Sequence, residues 1–272
     1  MGARISLTSR ELKKWIRNPV QLFITLIQPL FWILLFGSAF DITKLIPSNI
    51  PGGSSLIMNS FFMGAKNYIS FLTPGMLAIM GLFSAMFSGM SIIWDRRFGY
   101  LSKLIVAPIP RDSIILSKVF SSMVKAIVQS SILLLIAILV PNGLVLSSSF
   151  NILDLLLLFL ILSMLIMGFS SLFSVIVIRV KKMETLMAIT NLLNLPLMFA
   201  STAMFPSAIM PSWLKNVVNY NPISWAANSM RVLVLQGSIQ WSSIINDLFY
   251  LFIFDVIMII IVFIVSKYGF EE

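Results

Sequence analysis

Residues 94–120 read WDRRFGYLSKLIVAPIPRDSIILSKVF, running from Trp94 to Phe120. Six charged side chains, Asp95, Arg96, Arg97, Lys103, Arg111 and Asp112, crowd its first part, and Pro108 and Pro110 interrupt it. Long apolar runs lie on both sides, and that contrast decides the fold class. With 58% hydrophobic and only 11% charged residues among 272, the chain is too apolar for a soluble core to hide, so its solvent is largely lipid. The expected fold is an all-α integral membrane protein, with the quoted segment as a compact basic loop between two crossings.

A helix needs about 20 apolar residues, rising about 1.5 Å each, to cross the hydrocarbon. Six segments meet that requirement: Val20–Phe40, Asn67–Trp94, Val119–Val140, Leu155–Ile178, Thr185–Phe205 and Ile244–Ser266. Lysine and arginine collect in cytoplasmic loops. With the N-terminus inside, the inner segments hold Arg4, Arg10, Lys13, Lys14, Arg17, Arg96, Arg97, Lys103, Arg111, Lys118, Lys125, Arg179, Lys181, Lys182 and Lys267. Only Lys44, Lys66, Lys215 and Arg231 fall outside, so six transmembrane helices with both termini cytoplasmic are expected. The net charge of +9 follows this topology and does not form one solvent-facing basic surface, so it does not point to nucleic acid.

The whole chain, 1–272, reads as one permease-like membrane domain. Residues 1–19 open it: Arg10, Lys13, Lys14 and Arg17 fall at i, i+3, i+4 and i+7, with Leu12, Trp15 and Ile16 opposite. That pattern predicts an amphipathic elbow helix on the inner surface, its basic face towards anionic lipid. It is not a cleaved signal, since the run that follows is long enough to span, and the first helix is expected to stay in the mature protein. Residues 20–94 hold the first two spans and a Pro/Gly/Ser-rich outer loop, 41–66, expected to be mobile. The basic loop takes 95–118, and spans three to five take 119–205. Pro206, Pro211 and Pro222 then break 206–240 into an outer re-entrant helical hairpin, with Trp213, Tyr220 and Trp225 suited to an interfacial belt, before the last span at 244–266. Neither Cys nor His occurs, which removes disulfides, thiolate metal sites and the commonest general base; no metal site is expected.

Two stretches resemble the ABC type-2 export permeases, the membrane subunits of ATP-binding-cassette exporters. That family has an acidic and basic cluster after the second span, then a Gly, two Leu, a Pro and a basic residue opening the third span. Here these are Asp95, Arg96 and Arg97, Gly99, Leu104 and Ile105, Pro108, and Arg111. The outer hairpin of the family is matched by Pro206, Pro211 to Leu214, Asn221 with Pro222, and Arg231. Phe98 stands where a second Glu is frequent, and Tyr100 where a Thr is common.

The resemblance implies that the basic loop is a coupling helix held by a separate ATP-binding subunit, in two copies, with the charged residues giving register and Leu104, Ile105 and Val106 an apolar anchor. No G-x-x-x-x-G-K-[ST] occurs, so the chain is not expected to be an enzyme, and ATP and Mg belong to that partner. A second permease copy or a sister permease would complete the path. The implied function is efflux of an amphiphilic small molecule, drug or lipid across the cytoplasmic membrane of a prokaryote.

Polar side chains deep in a span should face protein or a cavity. Gln28 and Trp32 in the first span, and Asn191 and Asn194 in the fifth, are therefore candidates for a substrate path beside Phe83, Met86, Phe87 and Met90. For each Asn a helix-to-helix hydrogen bond serves equally well. Asp255, near the centre of the last span, is the costliest residue. It would pair with Lys125, or stay protonated as a hydrogen-bond donor between helices, or carry the coupling ion of a proton-driven secondary transporter.

Overall fold

The structure, a computed structural model, describes residues 2–39, 58–180, 182–235 and 240–268. The expected outer loop, 41–66, lies outside the described residues as far as position 57, as does Lys181. The described residues form helices joined by turns and short loops: α1 (Gly2–Ile16), α2 (Pro19–Ala39), α3 (Tyr68–Arg97), α4 (Tyr100–Val106), α5 (Arg111–Leu139), α6 (Ile152–Arg179), α7 (Met183–Phe199), α8 (Ser212–Asn219), α9 (Pro222–Leu235) and α10 (Trp241–Tyr268). Five of these, α2, α3, α5, α6 and α10, are long and apolar enough to cross a membrane.

The C-terminal bound of the fifth expected span needs correction. Residues 185–205 were expected to span, but the helix ends at Phe199 and residues 200–205 turn. The cause is non-local. Asn221 donates its side-chain amide to the Leu197 and Ala200 carbonyls, at 2.8 and 2.7 Å, taking acceptors that a further helical turn would use. Ser224 Oγ meanwhile accepts from the Thr202 amide at 3.1 Å. The basic loop is also shorter than 95–118. The second span's helix continues to Arg97, and α5 begins at Arg111, just after Pro110 and with Asp112 in its first turn. Between them Gly99 takes φ +68°, a left-handed turn that sets α4 off from α3.

Helices α3 and α6 form the centre, with α5, α9 and α10 packed around them and α2 and α7 more peripheral. Lipid gives no hydrophobic force between helices, so close backbone approach and cross-helix hydrogen bonds must hold them. Small residues supply both. Gly75 of α3 lies so near the turn after α7 that a Cβ there would stand 1.8 Å from the Ala203 carbonyl oxygen. Ser122 and Ser170, both buried, share a hydrogen bond of 2.8 Å between α5 and α6. At one end of the bundle lie α1, α4, the start of α5 and the last turn of α10, joined by Arg4 to Asp112 at 2.7 Å and by Arg111 to the Lys267 carbonyl at 3.3 Å. At the other end Asn67 caps α3 and donates to the Asn142 and Gly143 carbonyls, and Tyr68 donates to the Met204 carbonyl at 2.8 Å.

The two helices of the segment expected to form an outer hairpin are buried to different depths. Helix α8 is superficial, with Trp213 and Tyr220 exposed, whereas most of α9 is buried against α3, α6 and α10. Trp225 stacks on Tyr250 of α10 and donates its indole N–H to the Asn219 carbonyl. Arg231, counted among the outer charges, is fully buried. It donates to the Phe71 and Ala203 carbonyls at 2.9 and 2.7 Å and lies 3.8 Å above the Phe71 ring.

Candidate functional site

The inward face of α1 is set by Thr8, Glu11 and Trp15, one stripe at helical spacing that packs on α5. Ile16, expected on the apolar side with Trp15, is 70% exposed. Glu11 is buried because it has cations to meet: its Oε1 accepts from Arg10 at 2.9 Å and from Lys118 at 3.3 Å. Lys118 reaches further, donating to Asp95 Oδ2 at 2.5 Å and Ser91 Oγ at 2.9 Å. Arg10 and Lys14 approach the other Asp95 oxygen at 3.4 and 3.6 Å. Asp95 and Lys118 are each only 2% exposed, so α1, α3 and α5 are joined by a buried ion cluster. Arg10 also lies 3.4 Å above the Tyr100 ring, which brings α4 into the same assembly.

This arrangement divides the residues expected to touch a partner. Asp95 is not on an outward face, because the surrounding cations draw it inward. Arg96 likewise turns in, donating to the Val180 and Ile178 carbonyls at 3.0 and 3.3 Å and so capping the last turn of α6. Leu104 and Ile105 are half-buried and pack with Leu101, Ile114 and Leu186, so of the expected apolar anchor only Val106 points out, 87% exposed. Arg111 is half-buried against the end of α10. Arg97, Gly99 and Pro108 are exposed. The outward surface is therefore Arg97, Phe98, Lys103, Val106 and Pro108, a basic rim around apolar side chains. Phe98 and the cluster of Arg10, Glu11 and Lys118 escaped the sequence reading. The one local signal was Lys118 itself, a charge at the border between the basic loop and the third span.

The expected path residues lie on one side of α3. Phe83, Met86 and Phe87 are half-buried, and Met90 is buried. Helix α2 presents Gln28 exposed and Trp32 half-buried, the latter ring 4.9 Å from Phe36. On α7, Asn191 is exposed while Asn194 is buried, its amide donating to Met86 Sδ at 3.0 Å and its Oδ1 unpartnered. A polar contact that the sequence reading missed lies between these helices. Gln129 of α5 donates to Thr25 Oγ1 of α2, and Ser84 of α3 donates to Gln129 Oε1 at 2.9 Å.

The expected pairing of Lys125 with Asp255 is not made. Asp255 is buried against Gly168 of α6, where a Cβ would come 2.6 Å from its Oδ1, and neither carboxyl oxygen has a hydrogen-bond partner. Lys125 faces the opposite side, lining a cavity with Glu11 and Lys14 of α1. Among the described residues no group of His, Cys, Asp and Glu could hold a metal ion.

Residues 4–235 match the family model of the ABC-2 type transporter. The chain belongs to this family. A protein named as a transport permease, ycf38, from Cyanophora paradoxa is 30% identical over 85% of the chain and 74% of its own length. A ycf38 from Porphyra purpurea is 30% identical over 82% of the chain and 70% of its own length. A protein named as a doxorubicin resistance ABC transporter permease, DrrC, from Mycobacterium tuberculosis is 24% identical over 85% of the chain and 76% of its own length. The permease is thus a multi-pass membrane protein and the transmembrane component of an ABC transporter, a role that calls for an ATP-binding partner.

Proposed function

We propose that the permease exports an amphiphilic small molecule, drug or lipid, driven by two copies of a separate ABC subunit that bind ATP and Mg and dock on α4. The observation that carries this reading is the platform itself. Helix α4 presents Lys103 and Val106 outward between Arg97 and Pro108, while behind it Tyr100 holds Arg10 and, through it, the Asp95 and Glu11 cluster. A push on α4 therefore reaches α1, α3 and α5 together. Basic rim and apolar centre suit a groove of opposite charge.

In this reading α7, which runs between the same two ends as the five longer helices, is a sixth crossing, and α8 with α9 is the outer hairpin. The basic end is cytoplasmic, which places both termini inside the cytoplasmic membrane of a prokaryote. Two copies, or this chain and a sister permease, face each other across α2 and α7, whose exposed Gln28 and Asn191 are costly against lipid and suited to a path. ATP binding shifts the pair between inward and outward states. The DrrC relative, by its name, supports a drug as cargo.

The test is co-purification from the native membrane in mild detergent with an ATPase assay. A stoichiometric ATP-binding subunit, released by the Lys103→Glu/Val106→Asp double variant while the permease stays folded, is the expected result. A folded permease that purifies alone, or that keeps its partner in the double variant, would overturn the reading.

A further inference from the structure

We propose that the cavity lined by α1, α2, α3 and α5 at the basic end binds the anionic headgroup of one amphiphile, with Lys125 as the charge that receives it. The cavity measures about 470 Å³, within the range of small-ligand sites. Its polar side is formed by Lys14, Gln21 and Lys125, and its apolar wall by Phe87, Met90 and Trp94. Headgroup and chain thus have separate surfaces to lie on.

The charge balance selects an anion. Lys14 and Lys125 line the site with Glu11, and Arg10, Lys118 and Asp95 belong to the ion cluster that adjoins it through Glu11 and Lys14. Both carboxylates are already engaged by Arg10 and Lys118, and Asp95 by Lys14 as well. Lys125 lies two helical turns beyond Lys118, about 10 Å further from the α4 end. Among the described residues it makes no hydrogen bond or ion pair. A cation at that depth is costly without a counter-charge. A much smaller cavity, with room for about one water, continues past Lys125 to Thr25, Ser84, Ser122 and Gln129. That narrowing stops a headgroup at Lys125. Trp94, 40% exposed, marks the mouth through which a chain would extend along α3.

The shared chemistry is an anionic headgroup on an acyl or other apolar tail, whether it arrives as cargo or as a resident inner-leaflet lipid. Binding is read in the permease without its ATPase, so the inference stands or falls separately from the transport reading.

The experiment uses the full chain in nanodiscs, with brominated phosphatidylglycerol or brominated phosphatidylcholine as the quencher and Trp15 and Trp94 kept as the reporters, the other four tryptophans being replaced by Phe. Phosphatidylglycerol should reach half-maximal quenching at an about fivefold lower fraction than phosphatidylcholine. Lys125→Met should abolish that preference and Lys125→Arg restore it, while Lys13→Gln, which removes an exposed basic residue outside the cavity, leaves it in place. If Lys125→Met fails to fold, Ile24→Phe, which fills the wall without changing charge or adding a reporter, should reduce quenching by both lipids. Equal quenching by the two lipids in the unaltered protein, or a preference that survives Lys125→Met, would overturn the proposal. With the ATPase and ATP added, release of the brominated lipid identifies a transported amphiphile and retention identifies a resident one.

Discussion

Asp95→Asn discriminates most sharply between a residue that touches a partner and one that holds the permease together. Asp95 is 2% exposed and receives Lys118 at 2.5 Å, with Arg10 at 3.4 Å and Lys14 at 3.6 Å on its other oxygen. The neutral amide leaves Glu11 as the remaining carboxylate for Arg10 and Lys118, takes from Lys14 its one ion pair among the described residues, and cannot accept from all three cations at once. Breaking a buried pair from one side costs about 3–5 kcal/mol. The lower end applies here, because Glu11 and Ser91 still receive Lys118 and because Arg10 and Lys14 are partly solvated. A loss of about 3 kcal/mol is therefore expected in reversible unfolding by sodium dodecyl sulfate in mixed micelles. Lys118→Met should cost about as much. The Asp95→Asn/Lys118→Met pair should cost less than the sum of the two, since the uncompensated charge goes with its partner. If Asp95→Asn unfolds within about 0.5 kcal/mol of the unaltered protein, a change typical of surface sites, yet releases the ATPase, the interior assignment of Asp95 is wrong and the outward one is restored.

Three further outcomes follow from the geometry. Arg231→Met should lose about 3 kcal/mol or more in the same assay, because it strands the Phe71 and Ala203 carbonyls in a buried site, and Arg231→Lys should recover only part of this. Gly75→Val should prevent accumulation of folded protein, measured as the monodisperse fraction on gel filtration, since its first side-chain carbon would meet the Ala203 carbonyl oxygen at 1.8 Å. Asp255→Asn should leave ATP-driven export within about twofold in proteoliposomes, as a residue packed on Gly168 without contact to Lys125 has no relay to serve; loss of export together with loss of pH dependence would instead mark a proton carrier.

Hydropathy and helical spacing made most of the bundle legible, because lipid enforces long apolar helices irrespective of what they pack against. The end of α7 was not legible. Ala200 to Phe205 read as a continuation of the span, and it is Asn221, twenty-one residues after Ala200, that withdraws the carbonyls. The charges around residue 95 were visible as types, but sequence order could not say that Lys118 and Glu11 would converge on Asp95. A basic loop with the residues in view reads the same whether its acid faces out or in. The face of α1 was misjudged for the same reason: Glu11 counts as polar in any helical pattern, and only a cation on another helix makes its burial affordable. Lys125 and Asp255 show the converse, two opposite charges within spans that suggested a pair, on helices that turn them apart.

The contact of Gln129 with Thr25 and Ser84 has a consequence for how this permease can move. Apolar helices in lipid are slippery along their axes, and a one-turn slip of about 5.4 Å replaces one set of methyl contacts by another of similar worth. The Gln129 side chain acts as a dowel through α2, α3 and α5, because a slip of that size breaks both of its hydrogen bonds. The three helices tilt about this point more readily than they slide past it. Conformational change driven from α4 should therefore reach the far side as a rocking motion with a fixed pivot inside the membrane.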